Sequence, residues 1–217
     1  MGLEPSGAAR RARTAQASGG DDGMNEPQDP MLIDIPERLD GERTVLQAPR
    51  AGLGAELAVV ITQSLSHLRP WMVWAQEAPT AQSAEAVVRR MQADFIARRD
   101  LCFHIYARRA DGSPGRLLGG TGLHRIDWAV RKFEIGYWIR PDAAGQGHVG
   151  EAVRVLTALA FDQLAARRVE IRCDARNVRS RGVAERCGFE LEGVLRRDGL
   201  GVDGSERDTA VYSRIAG

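Results

Sequence analysis

Phe133-Glu-Ile-Gly-Tyr-Trp-Ile-Arg-Pro-Asp-Ala-Ala-Gly-Gln-Gly-His-Val-Gly-Glu-Ala-Val153 is the stretch on which the fold turns. An apolar, strand-like run, Phe133 to Ile139, feeds a glycine-punctuated loop that opens directly into an amphipathic helix. The first N–H groups of a helix lack internal partners and carry the positive end of its dipole, so such a loop is built to receive an anion. Gly145 and Gly147 keep side chains out of the approach, and Gln146, His148, Val149 and Gly150 complete the expected cradle, with Ile139 at the strand end.

Around this core segment the period of apolar residues predicts the remaining elements. Arg43 to Gln47 reads as a strand and Ala55 to Leu68 as a helix closed by Arg69-Pro70. Trp71 to Trp74 follows in a loop. A second helix, capped by Ser83, runs to Arg99 with Val87, Met91, Phe95 and Ile96 as its buried stripe. Cys102 to Ala107 and Leu117 to His124 read as strands joined through the turn residues of 110–115. The helix after the cradle is expected over 148–167, with Val149, Val153, Leu156, Ala160 and Leu164 inward. Val169 to Cys173 is a strand, Val178 to Cys187 a short helix capped by Asn177 and stopped by Gly188, and Phe189 to Leu195 with Asp208 to Arg214 a closing antiparallel pair. The order β-α-α-β-β-β-α-β-α-β-β describes an α/β (α+β) chain with a mixed sheet flanked by helices.

Composition narrows the function. A 217-residue chain that is 43% hydrophobic and 27% charged suits one globular domain, over 31–217. Residues 1–30 are almost free of large apolar side chains and are expected to stay a disordered tail. A net charge of +1 offers no global field for nucleic acid or an anionic membrane, which leaves only local clusters such as Arg10 to Arg13 or Arg176, Arg179 and Arg181. Three cysteines without paired spacing point to no metal and no disulfide framework, and fit a reducing cytoplasm. The loop lacks both the P-loop lysine and the third glycine of a dinucleotide fingerprint.

Four segments in order then resemble the GCN5-related N-acetyltransferases (GNAT), and within them the RimJ/RimL group of ribosomal-protein N-terminal acetyltransferases. They are Leu68-Arg-Pro-Trp-Met-Val-Trp-Ala75, Glu134-Ile-Gly-Tyr-Trp138, Gly145-Gln-Gly-His-Val-Gly-Glu-Ala-Val153 and Asn177-Val-Arg-Ser-Arg-Gly-Val-Ala-Glu-Arg-Cys-Gly-Phe189. The resemblance covers residue 40 to the C-terminus. It implies a mostly antiparallel twisted sheet, acetyl-CoA with its pyrophosphate on the amides of Gly145 to His148, pantetheine along the strand ending near Ile139, and contacts to CoA from Asn177 and Ser180. The implied reaction is acetyl transfer to a primary amine, with a protein N-terminal α-amino group as acceptor and a small amine such as an antibiotic or polyamine as rival.

Transfer requires a neutral amine, a polarised thioester carbonyl and a proton for the leaving thiolate. Glu134 is the candidate base, set against an ordinary ion-paired strand glutamate. The tyrosine that many relatives place seven residues after the asparagine is Ala184 here, so Ser180 is the candidate for the proton path. Trp71 and Trp74 are expected to wall the acceptor site or anchor their loop. His104 and His124 read as core or edge histidines. Ala144 and Val149 depart from the family's cradle pattern, which keeps open a non-catalytic CoA-sensing domain. Exposed sheet edges leave room for a homodimer.

Overall fold

The backbone of Phe133 to Ile139 pairs differently on its two sides, and that asymmetry organises the sheet. In the computed structural model, which describes residues 29–217, this strand is β5 (Lys132–Ile139). Before it come β1 (Arg38–Asp40), β2 (Thr44–Gln47), α1 (Gly54–Leu68), α2 (Ala81–Ile96), β3 (Leu101–Arg108) and β4 (Pro114–Asp127). After it come α3 (His148–Ala158), β6 (Arg168–Asp174), α4 (Val178–Arg186), β7 (Glu190–Leu200) and β8 (Glu206–Ile215). The eight strands form one sheet in the order β1-β2-β3-β4-β5-β6-β8-β7. Every pairing is antiparallel except β5 with β6.

That parallel pairing is short. It joins Lys132, Phe133 and Glu134 to Arg168, Val169 and Glu170 and then stops. Beyond it β5 remains paired with β4 through Ile139, while β6 remains paired with β8 through Asp174. The two strands therefore part, and the edges facing the gap carry backbone groups without a sheet partner.

Alternation along the strands sends Leu46, Phe103, Ile105, Phe133 and Ile135 into a core shared with Ala152, Val153 and Leu156 of α3. Their sequence neighbours Val45 and Tyr106 point to the other face, against Leu57, Val60, Ile61 and Leu65 of α1. The second helix starts earlier than its serine suggested: Thr80 is the cap, its hydroxyl accepting from the Ser83 N–H at 3.0 Å. Ala84, Val88 and Phe95 form the buried stripe, so Phe95 is inward as expected, while Met91 is half-buried and Val87 and Ile96 face solvent. The helix after the cradle likewise ends as α-helix at Ala158 and widens into a π-turn over Leu159–Gln163. Strand β1 was not anticipated, and nearly all of the expected tail lies outside the described residues.

A buried carboxylate ties α3 to the start of the sheet. Glu151, in the first turn of α3, accepts from the Glu42 N–H at 2.9 Å, the Arg43 N–H at 3.2 Å and the Thr44 hydroxyl at 2.5 Å. Gly41 permits this approach, since a Cβ there would stand 2.8 Å from Glu151 Cδ. Removing the acceptor strands several donors, each costing roughly 1–3 kcal/mol when buried. We expect Glu151→Ala to destabilise by about 3 kcal/mol, lowering Tm by roughly 6–12 °C in calorimetry; a loss below about 2 °C would mean that the turn is held by other contacts.

His104 on β3 is buried, and its Nε2 has no hydrogen-bond partner among the described residues. Burial lowers its pKa from 6.5 to about 4, so the folded state holds it neutral where the unfolded chain would take up a proton. Stability from this group is complete above pH 6.5 and is lost as pH falls toward 4, by about 3 kcal/mol in all. The His104→Gln variant should show a shallower fall in unfolding free energy across that window; parallel pH profiles would refute the assignment.

Candidate active site

Where β5 and β6 separate, a cleft of about 1740 Å³ opens between the α1 side of the sheet and the loop before α3. Single drug-sized ligands occupy roughly 300–1,000 Å³, so this space suits a large ligand or two ligands together. Its walls include Gly136 to Ile139 of β5, Ile171 to Asp174 of β6, and Asn177 and Ser180 at the start of α4. The strand edges with unpaired backbone groups thus face into it.

At one end lies the glycine loop. Gly145 and Gly147 sit at φ of 75° and 84°, the left-handed region that favours glycine, and Gly147 caps α3 without any side-chain hydrogen bond. The first amides of α3 are therefore open toward the cleft, which Gly145, Gly147, His148, Val149 and Gly150 line. His148 Nδ1 is buried there without a partner among the described residues. Gln146 turns its side-chain amide back onto the Asp142 carbonyl at 2.7 Å, so only its backbone belongs to the cradle face.

Arg43 is a component that the sequence did not single out. Its guanidinium donates to the Gln146 carbonyl at 3.0 Å, and a Cβ on Gly147 would stand 2.8 Å from its Nη2. Beside the uncharged Ala144, the connection between β1 and β2 thus brings a cation to the loop. Arg154, Arg179 and Arg186 also line the cleft, giving it a charge suited to phosphate groups.

At the parting of the strands, Asn177 Oδ1 accepts from the Ser180 N–H at 3.1 Å, so that oxygen serves as the α4 cap. Ser180 Oγ lies 2.9 Å from the Tyr137 hydroxyl, which also lies 3.1 Å from the Ser180 carbonyl oxygen. Burial holds the Tyr137 phenol well above its ordinary pKa, so it keeps its proton at neutral pH. Trp71 and Trp74 both line the cleft, and Trp74, 53% exposed, meets Trp138 edge-on with ring centroids 5.9 Å apart.

Glu134 is placed differently from the other expected residues. Its carboxylate, 17% exposed, is paired with Arg125 Nη1 at 3.2 Å, and the residue is not among those lining the cleft. Burial raises its pKa, while Arg125, Arg172 and His124 pull it down. His124, directly across the β4–β5 register from Glu134, does line the cleft. The paired glycines Gly122 and Gly136 beside it could have flagged this, since small residues facing each other on neighbouring strands mark a close approach.

Comparison with known proteins agrees with this geometry. The family described as Acetyltransferase (GNAT) domain matches residues 45–190. The "Putative ribosomal N-acetyltransferase YdaF" of Bacillus subtilis (strain 168) is 36% identical over 163 residues, covering 73% of this chain and 84% of that protein. The ribosomal-protein-serine acetyltransferase of Escherichia coli (strain K12) is 34% identical over 46% of this chain and 55% of its own length. Among solved structures, the microcin C7 self immunity acetyltransferase MccE, in complex with acetyl-CoA and AMP, superposes with a TM-score of 0.74 at 25% identity, over 81% of this chain and 94% of that one. RimL, a ribosomal L7/L12 α-N-protein acetyltransferase solved with coenzyme A, shares the fold at a TM-score of 0.75 and 20% identity, over 82% of this chain and 98% of its own. Family match, fold and site geometry agree: the chain belongs to the GNAT N-acetyltransferases.

Proposed function

We propose that this chain moves an acetyl group from acetyl-CoA to the α-amino group of a protein N-terminus. The observation that carries the reading is the meeting of two features in one cleft: the strand edges freed where β5 leaves β6, and the uncapped amides that start α3. A diphosphate on the amides of Gly145 to His148, with Arg43 beside them, would direct the amide-bearing arm of the coenzyme along Gly136 to Ile139. The thioester would then reach the parting near Ser180. The names of YdaF and the Escherichia coli relative favour a ribosomal protein as acceptor.

In this arrangement the tetrahedral intermediate collapses with its electron pair on sulfur, and Ser180 Oγ supplies the proton. Tyr137, hydrogen-bonded to Ser180, holds its hydroxyl in place, and the second proton that nitrogen sheds as the amide forms would return to Ser180. That pair takes the place of the tyrosine that Ala184 does not provide. Trp71 and Trp74 would form the acceptor wall, with Trp138 behind them. The aromatic lining, together with a structural relative solved with AMP, makes a nucleotide-bearing or other small amine the second acceptor to test.

Calorimetric titration with acetyl-CoA, followed by thiol release against N-terminal peptides and small amines, tests the reading. Micromolar binding and release of CoA with a peptide are expected; binding without release from any amine would favour a sensor, and no binding would overturn the cradle. Ser180→Ala should lower kcat by about 10–100-fold while leaving the acetyl-CoA dissociation constant within about threefold; an unchanged kcat would remove Ser180 from the proton path.

A further inference from the structure

We infer that His124, oriented by Asp100, is the general base that takes the proton from the incoming amine. The inference rests on the acetyl-transfer reading and adds to it a catalytic residue.

Both hydrogen bonds of the His124 ring run through Nδ1, to Asp100 Oδ1 at 2.8 Å and Oδ2 at 3.0 Å. A carboxylate accepts only, so Nδ1 carries the ring proton and the Nε2 lone pair is left available. Nε2 makes no hydrogen bond among the described residues. The ring is laid across two glycines: a Cβ at Gly122 would stand 2.9 Å from Cε1, and one at Gly136 would stand 2.9 Å from Cδ2 and 3.1 Å from Nε2. Nε2 therefore overhangs Gly136, two residues past the last β5–β6 rung and on the strand edge that faces the cleft. The side chain is 30% exposed, enough to meet a substrate. Glu134 sits one rung back, its carboxylate engaged by Arg125.

Charges facing the ring favour this role. Asp100 holds one edge, and Glu134, opposite in register, attracts the cation electrostatically. Arg125 and Arg172, the latter also lining the cleft, offset that attraction. Cys102 also donates to Asp100, at 3.3 Å, and burial keeps its thiol protonated, so it adds no charge; His104, neighbouring on β3, is neutral at physiological pH. The dyad repeats the logic by which a carboxylate fixes the tautomer of a base and supports the imidazolium that forms.

The protons balance. Nε2 takes one proton from the ammonium, freeing the nitrogen lone pair to attack the thioester carbonyl. As the C–S bond breaks, its electron pair goes to sulfur. Nitrogen then loses a second proton as the amide forms, and that proton replaces the one that Ser180 gives to sulfur. The net products are the amide, the CoA thiol and one proton, which leaves His124 to solvent.

The test compares His124→Gln, Asp100→Asn and Glu134→Gln by kcat/KM against pH with a serine-initiated peptide, alongside calorimetry with acetyl-CoA. For His124→Gln we expect a loss of about 10²–10³-fold at neutral pH with acetyl-CoA affinity preserved. The deficit should shrink above about pH 8, where an α-amino group is neutral without help. Asp100→Asn should give a smaller loss with the same pH signature. A wild-type pH profile in His124→Gln, or the pH-dependent loss in Glu134→Gln instead, overturns the assignment while leaving acetyl transfer intact. Nitrogen-15 imidazole spectra give a readout that needs no acceptor: the Nδ1–H tautomer is expected for His124 and the Nε2–H tautomer would refute it. Failure of the unaltered protein to release CoA from any amine would sink the acetyl-transfer reading and this inference together.

Discussion

The site exists because one strand pair is not completed. Had β5 continued beside β6 past Glu134 and Glu170, the backbone groups of Gly136 to Ile139 would be consumed in a ladder and the cleft would be closed sheet. Parting the strands leaves polar backbone without internal partners, a cost of folding that is recovered when another molecule supplies them. The rest of the architecture secures that opening. Antiparallel pairing holds each strand from its outer side, β4 on β5 and β8 on β6, and the α3 core packs Phe133 and Ile135 beneath it.

Local features of this design were legible in the sequence and nonlocal ones were not. The cradle could be read because Gly145, Gly147 and the helix they open lie within a few residues of one another and glycine reports its backbone demand directly. Asn177 and Ser180 were likewise legible as a cap and its first turn. Arg43 was not, since it meets Gln146 across 103 residues, and only the turn clamped by Glu151 brings it there. The Asp100–His124 contact depends on the β3–β4 register, which periodicity does not fix. Alternation sends Tyr137 and Trp138 to opposite faces, but which of them meets α4 depends on the sheet's orientation.

Electrostatics divides the cleft into two chemical regions. Around the cradle, helix amides and arginine side chains make an environment for phosphate, and Glu151, although in the same first turn, spends its charge on three donors on the far side. Near Gly136 the cations are matched by carboxylates: His104 is uncharged, Cys102 protonated, Asp100 bonded to His124, and Glu134 paired with Arg125. A cationic amine and an anionic coenzyme are thereby drawn to opposite ends of one opening.

The link between Glu151, Arg43 and the glycine loop has a consequence for the lifetime of the chain. Because one cluster supports both the first turn of α3 and the edge of the sheet, a ligand that settles on the loop acts as part of the tertiary structure. Binding at about one hundred times the dissociation constant adds about 2.7 kcal/mol to the folded state. In a cell, the unfolded population open to proteases would then fall as the supply of the coenzyme rises, and abundance itself would register metabolic state.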